Sequence, residues 1–422
     1  MRDQDQVFAK CARRLIPFMV LLQVVYVLDR VNVGFAALTM NRDLGFSPTV
    51  FGFGAGVFFI GYFLFAVPAN LILRRVGARR WMFFIMAAWG AMSAAGAFVQ
   101  GPMSFYVLRF LLGVAEAGFI PGMVLYLTYW FPQSYRARFT AIFIAASPLS
   151  SIIGGPLSGL VLGLDGNGGF YGWQWLFLLE GLPACVLAFV TLQFLPDDPK
   201  DAAWLTSDER RTIVQGLAVE DTAEHHDFWL ALHDPRLFAF GLVLLGIYMA
   251  LFAYVLWLPQ IVKAMGFSNR ATGFVTALPY VVSMIGMILW GRSSDARDER
   301  VWHVVLATLL AAAGFIAASL AQSYILVLVA LTVAASAGFA ALGPFYSLLS
   351  SFLRGTAAAG GIALVNAIGT GVGGFAGPIV VGILKEETGG YASGMAALAI
   401  GLGVSSALVL LMDRLKRPAV TV

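Results

Sequence analysis

The feature that most constrains this chain is a succession of twelve long apolar runs separated by short charged or Gly/Pro-rich breaks. They cover residues 15–37, 51–73, 81–100, 104–130, 139–163 and 173–195 in the first half, and 235–263, 271–291, 302–320, 324–350, 357–384 and 391–412 in the second. A helix needs ~20 apolar residues to cross the hydrocarbon of a bilayer. Lipid offers the backbone no hydrogen bonds, so runs of this length must close their own as helices. Composition excludes the alternative of a water-soluble enzyme. Of 422 residues 59% are hydrophobic and 12% charged, whereas soluble chains carry roughly 45–50% and about 25%. The sequence therefore predicts an all-α membrane protein of twelve transmembrane helices.

Lysine and arginine orient it. If the N-terminus is cytoplasmic, inside segments hold 21 of these residues, outside loops hold 4 (Arg42, Lys263, Arg270, Lys385), and Arg30 and Arg109 lie within spans. This bias favours both termini inside. The net charge of +4 thus reflects one membrane face, and no nucleic-acid partner is expected. The opening Lys10-Cys11-Ala12-Arg13-Arg14 has the outline of a signal peptide. The apolar run after it, however, reaches about Ala37 and carries Asp29-Arg30, so it reads as a retained span.

The longest polar segment, 196–234, is acidic and holds His225, His226 and His233. Thr206-Ser207-Asp208-Glu209 has capping-box spacing and predicts a short helix there. The expected organisation is a six-helix bundle over 1–195, a cytoplasmic linker over 196–234 and a second six-helix bundle over 235–422. The halves echo one another: Gly154-Gly155-Pro156-Leu157-Ser158-Gly159 in span 5 parallels Gly373-Gly374-Phe375-Ala376-Gly377-Pro378 in span 11. Two pseudo-symmetric bundles are a common plan for secondary transporters.

Other chemistries find no motif. The sequence has no phosphate loop G-x-x-x-x-G-K-[ST], no H-E-x-x-H, no Cys/His cluster and no G-x-S-x-G elbow. Neither ATP-driven pumping, a metal, a cofactor nor an enzymatic activity is expected. The two cysteines, Cys11 and Cys185, do not form a disulfide framework.

Five charges stand inside spans: Asp29, Arg30, Arg109, Glu116 and Glu180. Each costs at least ~2.5–3.5 kcal/mol on insertion scales and marks function more often than not. At ~1.5 Å per residue, Asp29 lies about 21 Å from the inner end of span 1 and Glu116 about 18 Å from the outer end of span 4. Arg109 and Glu116, seven residues apart, share a helix face with Gly113 between them. Asp29 and Arg30, about 100° apart, must face different surroundings. A carboxylate out of water can exchange a proton near neutral pH, and arginine keeps its charge and grips carboxylates. A proton relay of Asp29 and Glu116 beside an anion site of Arg30 and Arg109 is one reading; structural ion pairing is the other. Glu180, nearer the outer face, is expected to be structural. With Asp29 and Glu116 protonated, the two arginines outnumber the remaining acid, so an anion completes the site and a cation is repelled. Tyr62, Ser147, Tyr248, Tyr346 and Asn366 are uncharged candidates at similar depth.

Several stretches resemble the major facilitator superfamily, specifically its anion:cation symporter family of organic-anion transporters. They are Leu28-Asp29-Arg30-Val31-Asn32-Val33-Gly34 in span 1, Arg109-x-x-x-Gly113-x-x-Glu116-Ala117-Gly118 in span 4, Trp130-Phe131-Pro132, Trp173-Gln174-Trp175 with Glu180-Gly181-Leu182-Pro183, Trp204-Leu205-Thr206, Gly343-Pro344-Phe345-Tyr346 and Gly355-Thr356-Ala357. The resemblance covers essentially the whole chain. It implies alternating access between two bundles, proton-coupling roles for Asp29 and Glu116, anion contact by Arg30 with Arg109 alongside, and substrate contacts at Tyr62, Ser147, Tyr346 and Asn366. Tyr346 stands where many family members have tryptophan, which implies a differently shaped site. The family's gating motif, G-x-x-x-D-x-x-G-R-[RK], is degenerate after span 2, where Arg74 replaces the acid. After span 8 it keeps Gly291 and Asp295, followed by Arg297. The expected function is proton symport of an organic carboxylate into a bacterial-type cell across its inner membrane, by a monomer whose partners are a small organic anion, protons and membrane lipid. An exchanger or uniporter of the same fold is the alternative.

Overall fold

In the computed structural model, residues 2–218, 234–352 and 357–415 are described. Among them are twelve helices long and apolar enough to cross a bilayer: Gln4–Asp43, Pro48–Leu73, Ala78–Phe98, Pro102–Trp130, Ala146–Leu164, Gly172–Phe194, Pro235–Ala264, Asn269–Arg297, Val301–Leu320, Tyr324–Phe352, Gly361–Thr388 and Ala392–Arg414. We number them spans 1–12. His225, His226, His233, Arg354, Gly355, Thr356, Lys416 and Arg417 lie outside the described residues.

Three spans depart from the sequence expectation. Span 1 begins far earlier than residue 15, as part of one helix from Arg2 to Asp43. The cause is a buried stripe at helical spacing, Phe8, Cys11, Leu15, Met19, Leu22 and Tyr26, which carries the inner face of the helix through a segment whose other faces are basic. Span 4 is two helices, Pro102–Glu116 and Phe119–Trp130. Pro121 has no N–H to offer the Ala117 carbonyl, and the break falls immediately after Glu116. Span 11 passes from α-helix at Asn366 into a π-helical segment, Ala367–Gly373, before resuming at Gly374. Single π turns of this kind concentrate at functional sites.

The linker forms the expected short helix, Ser207–Ala218. Its capping box is reciprocal: the Glu209 amide donates to Thr206 Oγ1 at 3.2 Å and the Thr206 amide donates to Glu209 Oε2 at 2.8 Å. Lys10 Nζ reaches the same Glu209 carboxylate at 2.8 Å, and Trp204 stacks on Trp130 with ring centres 5.6 Å apart. The linker is thereby held to spans 1 and 4.

Spans 1–6 and 7–12 form two six-helix bundles, and the echoed glycine segments sit at the seam between them. A Cβ on Gly155 of span 5 would stand 2.6 Å from the Gly273 carbonyl oxygen of span 8, so only glycine admits this approach of backbones. The pseudo-symmetric counterpart packs span 2 at Gly52 on Pro378 of span 11. With an even number of spans, both described ends and the linker helix share one face, here termed the terminal face. The close approaches just described lie towards the opposite face. There Glu386 also accepts hydrogen bonds from Ser47 Oγ at 2.7 Å and the Thr49 amide at 2.9 Å, joining span 11 to the start of span 2.

Candidate functional site

Span 1 delivers two adjacent charges to different places because successive residues on a helix turn by about 100°. Asp29, wholly buried, faces span 3. Its Oδ1 accepts from the Ser93 hydroxyl and from Asn32 Nδ2, the latter at 3.3 Å, while Oδ2 has no protein partner. Arg30 faces the seam between the bundles. Its Nε donates to Glu116 Oε2 at 2.9 Å, and its guanidinium carbon lies 4.7 Å from the ring centre of Tyr62, 4.9 Å from Tyr26 and 5.0 Å from Phe58. Aromatic faces attract such a cation by ~2 kcal/mol when water is excluded.

Span 4 supplies the remaining two charges. Arg109 is 2% exposed, with its guanidinium carbon 4.8 Å from the centre of Phe58, and its Nε and Nη1 have no protein hydrogen-bond partner. Phe58 therefore contacts both guanidinium groups. The close packing that puts it there depends on Gly113, where a Cβ would collide with the Phe58 carbonyl oxygen of span 2. A buried guanidinium with unmet donors is costly in a dry site. Arg109 is thus equipped to receive an acceptor.

Between the bundles, on the terminal side of the glycine contacts, is a cavity of about 310 Å³. Arg30, Arg109, Gln23, Tyr26 and Ser147 line one wall, and Tyr248, Phe252, Met284, Met287 and Phe339 belong to the other. Gln23 Nε2 donates to Ser147 Oγ at 2.9 Å, closing the charged wall towards span 5. A larger groove of about 1190 Å³ runs beside Lys10, Arg13, Arg14 and Trp204. It is an open surface feature and contains none of the span-buried charges.

The sequence candidates therefore separate into layers. Arg30, Arg109 and Ser147 line the cavity. Asp29 and Glu116 do not; they stand behind it, Glu116 against Arg30. Tyr62 does not line the cavity but touches residues that do, lying against the Arg30 guanidinium and stacking on Phe58. Tyr346 and Asn366 stand behind Tyr248: the Tyr346 hydroxyl donates to Asn366 Oδ1 at 2.6 Å and lies 3.1 Å from the Tyr248 hydroxyl. Asn366 is the last α-helical residue before the π segment of span 11. Glu180 takes a hydrogen bond from Ser158 at 2.9 Å and ties span 6 to span 5.

At the end of span 8, Asp295 pairs with Arg300 at 2.9 Å. Arg297 turns instead to the Ser293 hydroxyl one helical turn away, and Gly291 faces open space. After span 2, where the motif lacks its acid, Asp197 from beyond span 6 accepts from the Arg79 amide at 3.0 Å and supplies a carboxylate to that helix start. Sequence reasoning missed Arg300, Asp197, Gln23 and Tyr26. The last two were within reach: Tyr26 precedes Arg30 by four residues and Gln23 by seven, the spacing of one helix face.

This arrangement has a counterpart in known proteins. The profile of the Major Facilitator Superfamily matches residues 19–378. The chain belongs to that superfamily. It is 48% identical to an Agrobacterium vitis protein named for tartrate transport, over 99% of this chain and 93% of that one. It is 41% identical to an Acinetobacter baumannii protein named a quinolone resistance transporter, over 92% of this chain and 90% of the relative. In shape it matches the crystal structure of a bacterial homologue of the human lysosomal transporter Spinster, inward-facing and unoccupied, with a TM-score of 0.79 at 17% identity, covering 94% of this chain and 96% of the other. As a superfamily member this chain is a multi-pass membrane transporter of an organic substrate and not an enzyme. Its twelve spans form the superfamily's two bundles.

Proposed function

We propose that this superfamily member is a proton-coupled symporter of an organic carboxylate, of the anion:cation symporter type, acting as a monomer in a bacterial inner membrane. The terminal face, with the linker, is cytoplasmic, in keeping with the bias of lysine and arginine. The chain divides functionally into bundles 1–195 and 235–422 with the linker 196–234 between them. Asp295 with Arg300, flanked by Gly291 and Arg297, forms part of the gate on that face.

One observation carries the reading: Arg30 is shared between the cavity and a buried carboxylate, with Glu116 holding its Nε at 2.9 Å while its Nη2 is unpartnered. Asp29, Arg30, Arg109 and Glu116 sum to zero charge when all are ionised. A substrate anion would then bring net negative charge into a dry site, which is costly. A proton on Glu116 removes its claim on Arg30, leaves the site net positive and lets Arg30 and Arg109 take the substrate carboxylate together. Deprotonation re-forms the Arg30–Glu116 pair and expels the anion. Asp29, held by Ser93 and Asn32, is the second proton carrier in this scheme. With two protons per monoanion, inward movement carries one net positive charge, and a 100 mV potential contributes ~2.3 kcal/mol.

The test is uptake of a labelled organic acid into proteoliposomes. An inside-alkaline gradient is expected to drive accumulation, and reversing the gradient to abolish it. Uptake indifferent to the gradient but dependent on trapped internal anion would overturn proton coupling in favour of exchange. Indifference to both would favour a uniporter.

A further inference from the structure

We infer that the cargo is an amphiphilic monocarboxylate, with one carboxylate on the Arg30–Arg109 side and a flat apolar body, aromatic in character, against spans 7, 8 and 10. This deepens the proposed function and rests on it. A carboxylate oxygen accepts hydrogen bonds and cannot donate them, so the location of free donors decides how many carboxylates the cavity can hold. On the wall from spans 1–6, the charged lining residues are Arg30 and Arg109, and arginine can only donate. The two guanidinium groups together can take one carboxylate.

The facing wall has polar atoms only at Tyr248 and Ser283, and both have committed their protons. Ser283 Oγ donates to the Pro279 carbonyl at 2.7 Å. The Tyr346 proton goes to Asn366, so at 3.1 Å the Tyr248 hydroxyl is the donor to Tyr346. The rest of that wall is Phe252, Val255, Met284, Met287, Phe339 and Leu342. Phe252 stacks on Tyr248 with ring centres 5.2 Å apart and planes at 26°, and Met284 and Met287 lie one turn apart on span 8. An aromatic platform opposed by two thioethers suits a flat ring. A volume of about 310 Å³ is at the small end for ligand sites, which fits a single-ring acid. A small dicarboxylate bearing hydroxyls would press its second charge against a wall with no donor, a mismatch that buried sites reject strongly.

The experiment measures binding by isothermal titration to the purified full-length protein, with phenylacetate, phenylacetamide and L-tartrate as probes. Phenylacetate is expected to bind about a hundredfold more tightly than tartrate, and the neutral amide to bind at least about tenfold more weakly than phenylacetate. Met287→Gln, which offers a donor to the apolar wall, should narrow the phenylacetate-to-tartrate ratio. Tartrate binding as tightly as phenylacetate overturns the inference and leaves carboxylate transport standing. Equal binding of the amide and its acid, or failure of both acids to bind, overturns the carboxylate reading itself.

Discussion

The two bundles share one architecture and meet across one cavity, yet they present opposite chemistry to it. Every charged residue on the cavity wall comes from spans 1–6, whereas the facing wall of spans 7–12 contributes aromatic rings, thioethers and hydroxyls whose protons are already taken. A repeated fold therefore does not require a repeated function. One half supplies the charged groups of the cavity wall, while the other supplies its apolar shape. The helix irregularities follow the same division. Span 4 breaks beside Glu116, and span 11 adopts its π segment beside Asn366, so each half distorts a span at its own contribution to the site.

The largest expected effect tests that contrast directly. Arg30→Ala leaves Glu116 buried without its cation, a loss of about 3–5 kcal/mol for a broken buried pair, and uptake should fall by more than about a hundredfold. Phe252→Ala, on the apolar wall, should cost no more than about tenfold, mainly in KM. Equal losses in initial-rate uptake would erase the division between the bundles. Glu116→Gln comes next. Gradient-driven accumulation should fall by roughly a hundredfold, because a proton-transfer role is worth about that much, while counterflow exchange stays within about fivefold. Loss of both activities together would return Glu116 to a purely structural role.

Two intermediate effects sharpen the picture. Glu386→Gln weakens the carboxylate that caps the start of span 2 from the other bundle. A cap of this kind contributes about 0.5–2 kcal/mol, so the opposite face should open several-fold more often. Distances between spin labels on the two bundles would register this, and an unchanged distribution would mean that Glu386 does not hold that face closed. Tyr346→Phe removes one donor to Asn366, a bond worth about 1 kcal/mol, and frees Tyr248. Substrate KM should change by no more than about fivefold.

The smallest effect lies outside the bilayer, where spans 1–6 are tied to the linker. The Glu209 carboxyl is held below the usual glutamate range, first by its hydrogen bond from Lys10 and then by the Thr206 amide. A depressed acid contributes stability above its unfolded value and loses it as pH falls through the folded one. Protection of the amides of residues 207–218, taken relative to the intrinsic exchange rate at each pH, should therefore be unchanged between neutral pH and about pH 5, and fall only below the ordinary glutamate range. Thr206→Ala should show faster exchange throughout.

How far the site was legible in the sequence depended on the reach of each signal. Asp29 and Arg30 face apart as the helical turn requires, and Arg109 and Glu116 share the face that Gly113 leaves open to span 2. These are consequences of spacing within one helix. The extended start of span 1 was concealed because its basic residues mask a buried stripe of Phe8, Cys11 and Leu15. The placement of Tyr346 and Asn366 behind Tyr248 depended on approaches between spans that no local pattern encodes, whereas the turn of Arg297 to Ser293, four residues away on the same helix, lay within the reach of spacing.

By itself, the sequence determined the number of spans, the near-absence of water-facing surface and the presence of costly charges at mid-membrane. Each of these follows from the local free energy of placing a residue in hydrocarbon. Only the tertiary structure decided that Arg30 has Glu116 for a partner while Arg109 keeps unmet donors, and that the wall opposite them has no proton to give. Hydrogen-bond partners within a bundle are set by the register of helices far apart in the chain, and register is a property of packing.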